Sequence, residues 1–420
     1  VTPVANDEPR AATIPEPLTP GYDAVLLAGF GGPEGPDDVM PFLRNVTRGR
    51  GIPEERLVEV SHHYQALGGA SPINEQNRAL RAALEAELAR RGVALPVLWG
   101  NRNWSPYLAD VITQAHTGGS VRLLGLATSA YSSYSSCRQY REDFGMALAA
   151  TGLVGSVRID KVRPYFDRPG FRQPFVDGTI EAVHKAAATG LEVADLQVVF
   201  TTHSVPITMA DTSGSAELGD HRPGGAYVTQ HLAVAAAVIE AVAAEIGESP
   251  AWQLAYQSRS GPPSVPWLDP DINDVIADLA GHGRRGVIVV PIGFVSDHVE
   301  VIWDLDNEAA ETAAQHNVFF ARVRTPGVDP RFVGELADLI QERLGTAAVP
   351  TEELPGARRR PDFCATRCCV NARATKSTTA AVDSAADWAD VEIDGAPVDP
   401  ARLTASGIRG TRPQESAVSG

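Results

Sequence analysis

The feature that most limits the fold is a series of short apolar runs that do not alternate. They are Asp23–Leu27, Val121–Ala127, Val198–Thr202, Leu254–Gln257 and Val287–Ile292. A strand with one face in water alternates apolar and polar residues, whereas a strand covered on both faces reads apolar throughout. Helical patterns separate the runs. The clearest spans Pro72–Arg91, with Ser71 as N-cap, Pro72 at the first helical position and Gly92 just past the end. Buried strands alternating with helices predict an α/β protein with parallel sheets. The 420 residues suffice for two such units, joined near residues 160–190.

In open α/β sheets ligands bind beyond the carboxyl ends of the strands, so the segments that follow the runs are where chemistry is expected. The first run leads into AGFGGPEGPDDV, Ala28–Val39. Glu34 stands where the third glycine of a dinucleotide fingerprint falls, and no Lys-Ser/Thr pair follows. A tight turn before a helix capped near Asp37 is the plainer reading. The third run leads into His203, in a turn closed by Pro206. A histidine there is either a structural residue or a proton acceptor and metal contact.

After the fifth run a helix is expected to open near Ser296 or Asp297. Glu300, Asp304 and Glu308 then recur every fourth residue and share one narrow arc. Three carboxylates in a row repel one another and weaken a helix. Two readings follow. One is a solvated acidic face with a capping box from Asp297 to Glu300; the other is a row of oxygen ligands and proton acceptors for a hard cation.

Cys137, Cys364, Cys368 and Cys369 are the only cysteines, and three of them fall within six residues. Four thiolates at one site hold zinc or an iron–sulfur cluster. A long chain without a secretion signal is expected in the cytoplasm, where structural disulfides are rare. A formal net charge of −16 disfavours nucleic acid and anionic lipid as partners. No stretch is expected to reach the apolar length needed to cross a bilayer. Residues 1–20 read as a disordered leader and 377–420 as a disordered tail.

Together these segments resemble the ferrochelatase family, and within it the actinobacterial branch. The resemblance rests on LLAGFGGPEGPDDVMPFLRNV, HYQALGGASPIN, TSAYSSYSSCRQYRED, FTTHSVP, YQSRSGPPSVPWLDP and PIGFVSDHVEVIWDLD, in family order between Tyr22 and Val370. It implies two Rossmann-like chelatase domains, 21–165 and 166–345. Each has a parallel sheet flanked by helices, with a porphyrin cleft between them, and a cluster-binding segment follows at 346–376. It further implies that His203 and Glu300 are the catalytic pair, facing one another across the macrocycle and contacting the substrate Fe2+. Asp304 and Glu308 would carry iron or protons along the same helix. Cys137, Cys364, Cys368 and Cys369 match the branch's [2Fe–2S] ligand set.

Arg48, Tyr64, Ser71 and Tyr140 match propionate contacts, and Phe30 is expected against the macrocycle face. His63 and Phe30 depart from relatives that carry arginine and tyrosine there. The implied reaction inserts Fe2+ into coproporphyrin III, giving coproheme and two protons, in a monomer without nucleic-acid or membrane partners. Protoporphyrin IX is the alternative substrate. A non-catalytic porphyrin or heme carrier, and a cobalt or nickel chelatase, are the alternative functions. The division of labour between His203 and Glu300 stays open.

Overall fold

The computed structural model describes residues 21–370 apart from 50, 262–263, 349, 351–352, 363 and 365–367, together with the backbone of Glu392–Ile393 and Ala396–Pro397. Its first sheet contains β1 (Ala24–Gly29), β2 (Val97–Asn101), β3 (Arg122–Ala127) and β4 (Arg158–Lys161), in the order β2-β1-β3-β4. The second contains β5 (Leu196–His203), β6 (Ala251–Gln257), β7 (Gly286–Val290) and β8 (Phe319–Arg322), in the order β6-β5-β7-β8. Every neighbouring pair in both sheets is parallel. Each of the five apolar runs contributes a strand, and β1 is buried along its whole length. Strands β2, β4 and β8 lack such a run; β4 reads RIDK, with Asp160 and Lys161 buried.

The helices α1 (Val39–Val46), α2 (Glu54–Ala66), α3 (Ile73–Arg90), α4 (Leu108–Thr117) and α5 (Gln139–Thr151) accompany the first sheet. With the second come α6 (Pro169–Ala188), α7 (Ile207–Asp211), α8 (Gly225–Ile246), α9 (Ile272–Gly281), α10 (Val299–Val301), α11 (Ala310–Gln315) and α12 (Pro330–Arg343). Two segments are wound as π-helix, Tyr134–Arg138 ahead of α5 and Ile302–Ala309 between α10 and α11.

Three expectations change. Helix α3 starts one residue later than expected, with Pro72 rather than Ser71 as its cap, and the Ser71 N–H is bound to the Pro33 carbonyl at 2.8 Å. Helix α8, at mean hydropathy 1.4, is long and apolar enough to cross a membrane by length and composition. Its apolar side is spent on the core, where Val234, Val238, Ile239 and Val242 are buried. In the tail, Glu392–Ile393 pairs antiparallel with Ala396–Pro397.

The two sheets share one core, which includes Val25 and Leu27 of β1 and Val198 and Phe200 of β5. Helix α12 crosses back to the first half. Arg91, at the end of α3, pairs with Asp338 and donates to Gln341 at 2.9 Å. Arg343 donates to the Tyr22 hydroxyl at 2.8 Å, which in turn donates to Asp160 at 2.7 Å. At the start of α6 the buried Arg168 pairs with Glu335 and, at 2.9 Å, with Glu342. Burial pushes the Glu342 carboxyl above the usual range and the Arg168 charge opposes that rise. Removing one partner of a buried pair strands the other charge. Arg168→Ala is therefore expected to lower the unfolding free energy by about 3–5 kcal/mol in urea titrations. A loss below about 1 kcal/mol, the range of exposed pairs, would show that water screens this site.

Candidate active site

Both sheets reverse the direction of strand addition once, between β1 and β3 and between β5 and β7. Such a switch point opens a crevice at the carboxyl ends of the two strands. His203 is the last residue of β5, and Glu300 follows β7 after a short loop. The two residues expected to do chemistry thus leave the two strands that flank the second switch.

His203 is bonded through Nδ1 to the Ser204 carbonyl. A carbonyl only accepts, so Nδ1 is the donor in this bond and Nε2 is the nitrogen turned toward the crevice. That Nε2 lies 3.8 Å from Glu300 Oε2, and both side chains are partly exposed. His298 brings a second imidazole to the same carboxylate oxygen, with Nδ1 at 3.9 Å. Burial holds the His298 pKa below its ordinary value, and the Glu300 charge partly offsets this. The sequence carried His298 in plain view, two residues before Glu300, but its orientation depends on the loop.

Two groups gripping a flat ring from opposite sides stand about 7 Å apart, one carbon contact on each face. His203 Nε2 and Glu300 Oε2 stand closer together than that.

The acidic segment also differs from a plain α-helix. Its first turn is capped by His298 without a side-chain bond, so no Asp297–Glu300 capping box forms. Asp297 is instead held by Arg322 at 3.0 and 3.2 Å and by the Thr325 hydroxyl at 3.0 Å. Through the π-helical turns, residues five apart become neighbours. Trp303 accordingly donates Nε1–H to Glu308 Oε1 at 2.8 Å. Asp304 turns inward and accepts from the Ser258 hydroxyl and from Gln257 Nε2 at 3.2 Å. Ser258 adopts a left-handed φ of 59° at the end of β6, an uncommon pose for a residue with a Cβ.

Burial, reinforced by Glu300 and Glu308, pushes the Asp304 carboxyl up to about 7, against the pull of Ser258. Glu300, Asp304 and Glu308 thus follow one another in the chain but meet different partners.

The first half contributes an aromatic lip. Phe30 follows β1 and is exposed by 37%. It meets Phe42 edge-on at 6.4 Å, and Phe42 in turn contacts Tyr64 and Trp104, each at 6.0 Å. Val299 of α10 is buried in this same cluster. Burial raises the Tyr64 pKa, with the Glu300 charge adding to it. Two further contacts close the seam: His63 stacks on Trp303 at 4.3 Å, and the Asp297 N–H donates to Gln76 Oε1 at 2.9 Å. The AGFGG turn fits under this lip because Gly31 has φ 84° and a Cβ there would lie 2.9 Å from Asn101 Cβ. Of the expected propionate contacts, Arg48 is exposed beside the lip helices, whereas Tyr64 and Ser71 are buried. Tyr140 is buried under the Arg102 guanidinium at 4.1 Å.

The four cysteines converge. Cys137 lies in the π-helical turn after β3 and is buried with Cys368 and Cys369. Cys364 accepts hydrogen bonds from Cys137 and Cys368, which hold its thiol well below the usual range. Cys368 and Cys369 Sγ are 3.8 Å apart. Among the described residues, no three His, Cys, Asp or Glu side chains are grouped around a single metal ion; the thiols form a chain of pairs.

A family model described as Ferrochelatase matches residues 22–344. The chain belongs to the ferrochelatase family. A relative from Leifsonia xyli subsp. xyli, named coproporphyrin III ferrochelatase, is 54% identical over 378 residues, 87% of this chain and 96% of that protein. One of the same name from Streptomyces griseus subsp. griseus is 52% identical, covering 86% of this chain and 97% of that protein. Another from Mycolicibacterium smegmatis is 48% identical, covering 77% and 90%. Among solved structures, SirB from Bacillus subtilis with Fe3+ is similar at TM-score 0.42 and 12% identity, over 77% of this chain and 98% of that one.

Asp304 gives this family member a pH signature. A carboxyl whose folded pKa lies above its unfolded value binds its proton more tightly in the folded chain. Its contribution is full below about pH 4 and is lost as pH rises through about 7. Asp304→Asn cannot ionise, so its melting temperature relative to wild type should climb between those limits. Parallel melting curves across the range would contradict the burial assigned to Asp304.

Proposed function

We propose that this protein inserts Fe2+ into coproporphyrin III in the cytoplasm, forming coproheme and releasing two protons. The observation that carries the reading is the His203–Glu300 pair, 3.8 Å apart at the switch point of the second sheet. Coproporphyrin is favoured over protoporphyrin IX by the names of relatives about half identical along nearly their whole length. The alternative of a non-catalytic carrier has no use for an imidazole beside a carboxylate and a neutral-range acid behind them.

Insertion must take two protons from pyrrole nitrogens and strip water from Fe2+. The free Nε2 of His203 and the Glu300 carboxylate present two bases to one face of the macrocycle, so each is suited to accept a proton. The same oxygen and nitrogen donors are suited to replace the water lost by Fe2+. Asp304, ionising near neutral pH behind Glu300, exchanges protons in either direction at little cost. Phe30 is exposed and apolar, and covers the opposite macrocycle face. Coproporphyrin's four propionates extend into the cleft rim between the 21–165 and 166–345 domains, where Arg48 is available as a bidentate partner.

The cysteines suit a [2Fe–2S] cluster held by Cys137, Cys364, Cys368 and Cys369. Thiolates on one tetrahedral metal with bonds of about 2.3 Å stand about 3.8 Å apart, the spacing of Cys368 and Cys369. The chain of pairs, rather than one tight foursome, fits two metals better than one. When bound, such a group is a one-electron redox centre and a cross-link between the cysteine segment and the first half.

The test is anaerobic metallation followed by absorption. Wild type should insert Fe2+ into coproporphyrin III faster than into protoporphyrin IX. His203→Ala should be slower by about 10²–10⁴-fold, the range of a positioned acid–base group. Equal rates for His203→Ala and wild type would remove the histidine from the mechanism, and a protoporphyrin preference would overturn the substrate. The purified protein should be reddish-brown and Cys364→Ser colourless; a colourless, zinc-loaded wild type would overturn the cluster.

A further inference from the structure

The loop between His203 and α8 connects the two sites. Cys369 adopts a left-handed φ of 54°, a costly pose for a residue with a Cβ. It is held there by a reciprocal pair of bonds with Gly214. The Cys369 N–H donates to the Gly214 carbonyl at 2.8 Å, and the Gly214 N–H donates to Cys369 Sγ at 3.2 Å. Only glycine fits at position 214. Its φ is 84°, and a Cβ there would stand 2.5 Å from Asp220 Oδ2 and 2.7 Å from Ala226 Cβ.

The next residue back, Ser213, is fully buried. Its hydroxyl donates to the Ala210 carbonyl at 2.6 Å and accepts the Tyr227 N–H at 2.8 Å. The Ser213 carbonyl accepts the Ala226 N–H at 3.1 Å, so the turn grips the first turn of α8 twice. Tyr227 is buried, and its hydroxyl donates to the His203 carbonyl at 2.8 Å while lying 2.7 Å from Thr202 Oγ1. The last two residues of β5, one of them the base at the reacting centre, are therefore fixed by a phenol. The backbone of that phenol is fixed by the turn that holds a cysteine of the four-thiol site.

We propose that Tyr227 is a positioning residue for His203, and that the Ser213–Gly214 turn ties its setting to Cys369. The inference rests on the metallation reading above and assigns the cysteine site an effect on it. When Cys369 is anchored by ligation, the turn is pinned and His203 keeps its aim. When the ligand set is lost, Cys369 relaxes, the grip on Gly214 loosens, and insertion slows without loss of porphyrin affinity. A contact merely lying between two sites does not prove coupling, so the test is a double-mutant cycle.

The full chain is purified anaerobically and assayed for Fe2+ insertion into coproporphyrin III. Porphyrin affinity is followed separately by fluorescence. The ring nitrogens of His203 are followed by NMR, assigned by their absence in His203→Gln. Tyr227→Phe keeps the ring and loses the hydroxyl. It should lower kcat about tenfold, as a small misplacement of a reacting group does, with KM for coproporphyrin unchanged and the His203 resonances shifted. Cys369→Ser should lower kcat and move the same resonances, yet have no further effect in the Tyr227→Phe background. If Cys369→Ser does not fold, Ser213→Ala carries the same comparison with all four cysteines in place.

Wild-type kcat in Tyr227→Phe, or effects of the two substitutions that simply multiply, would overturn the proposal. A wild type that inserts no iron would sink the metallation reading instead, while the NMR shifts would still decide the relay.

Discussion

The rest of the site depends on burying Val299 in the aromatic lip of the first half. Val299 is the first residue of α10, and in the lip it joins Val39, Phe42, Leu43, Leu57 and Tyr64. A buried valine is worth about 1.5–3 kcal/mol over an exposed one. Here that energy fixes where Glu300, the next residue, can stand. The His63–Trp303 stack and the Asp297–Gln76 bond secure the same seam on either side. A segment of the second half is thereby held by the first, and the carboxylate meets His203 without a covalent link between the halves at that point.

The cost of this arrangement is visible in Asp304. A carboxyl folded into a protein and facing two other acids favours its protonated form, and Asp304 is pushed up to about 7 despite two hydrogen bonds. Ordinary stability would favour an apolar residue there. The π-helical winding and the left-handed Ser258 are departures of the same kind, since both spend backbone energy on aiming side chains. Departures that cluster around one crevice mark it as functional ground.

The sequence revealed the fold better than the geometry of its site. Apolar runs announced five of the eight strands of the two parallel sheets, because strands covered on both faces cannot alternate. Strand β4 stayed hidden because its buried Asp160 is satisfied by Tyr22 and Arg343, partners far away in the chain. His203 and the acidic stripe were legible from their positions after strands. Their mutual placement was not, since it depends on the loop through His298 and on π-helical turns that residue spacing does not encode. The convergence of Cys137 with the late cysteines was foreseen from their number, whereas the role of Gly214 in holding Cys369 appears only in three dimensions.

Family membership points to metal insertion into a porphyrin, and the proposed reading has it proceed from one side. The most direct test is the structure of the protein with metal-free coproporphyrin III bound. The account requires the His203 imidazole and the Glu300 carboxylate on the same macrocycle face, with Phe30 against the other. A macrocycle lying between His203 and Glu300, or bound away from both, would contradict it.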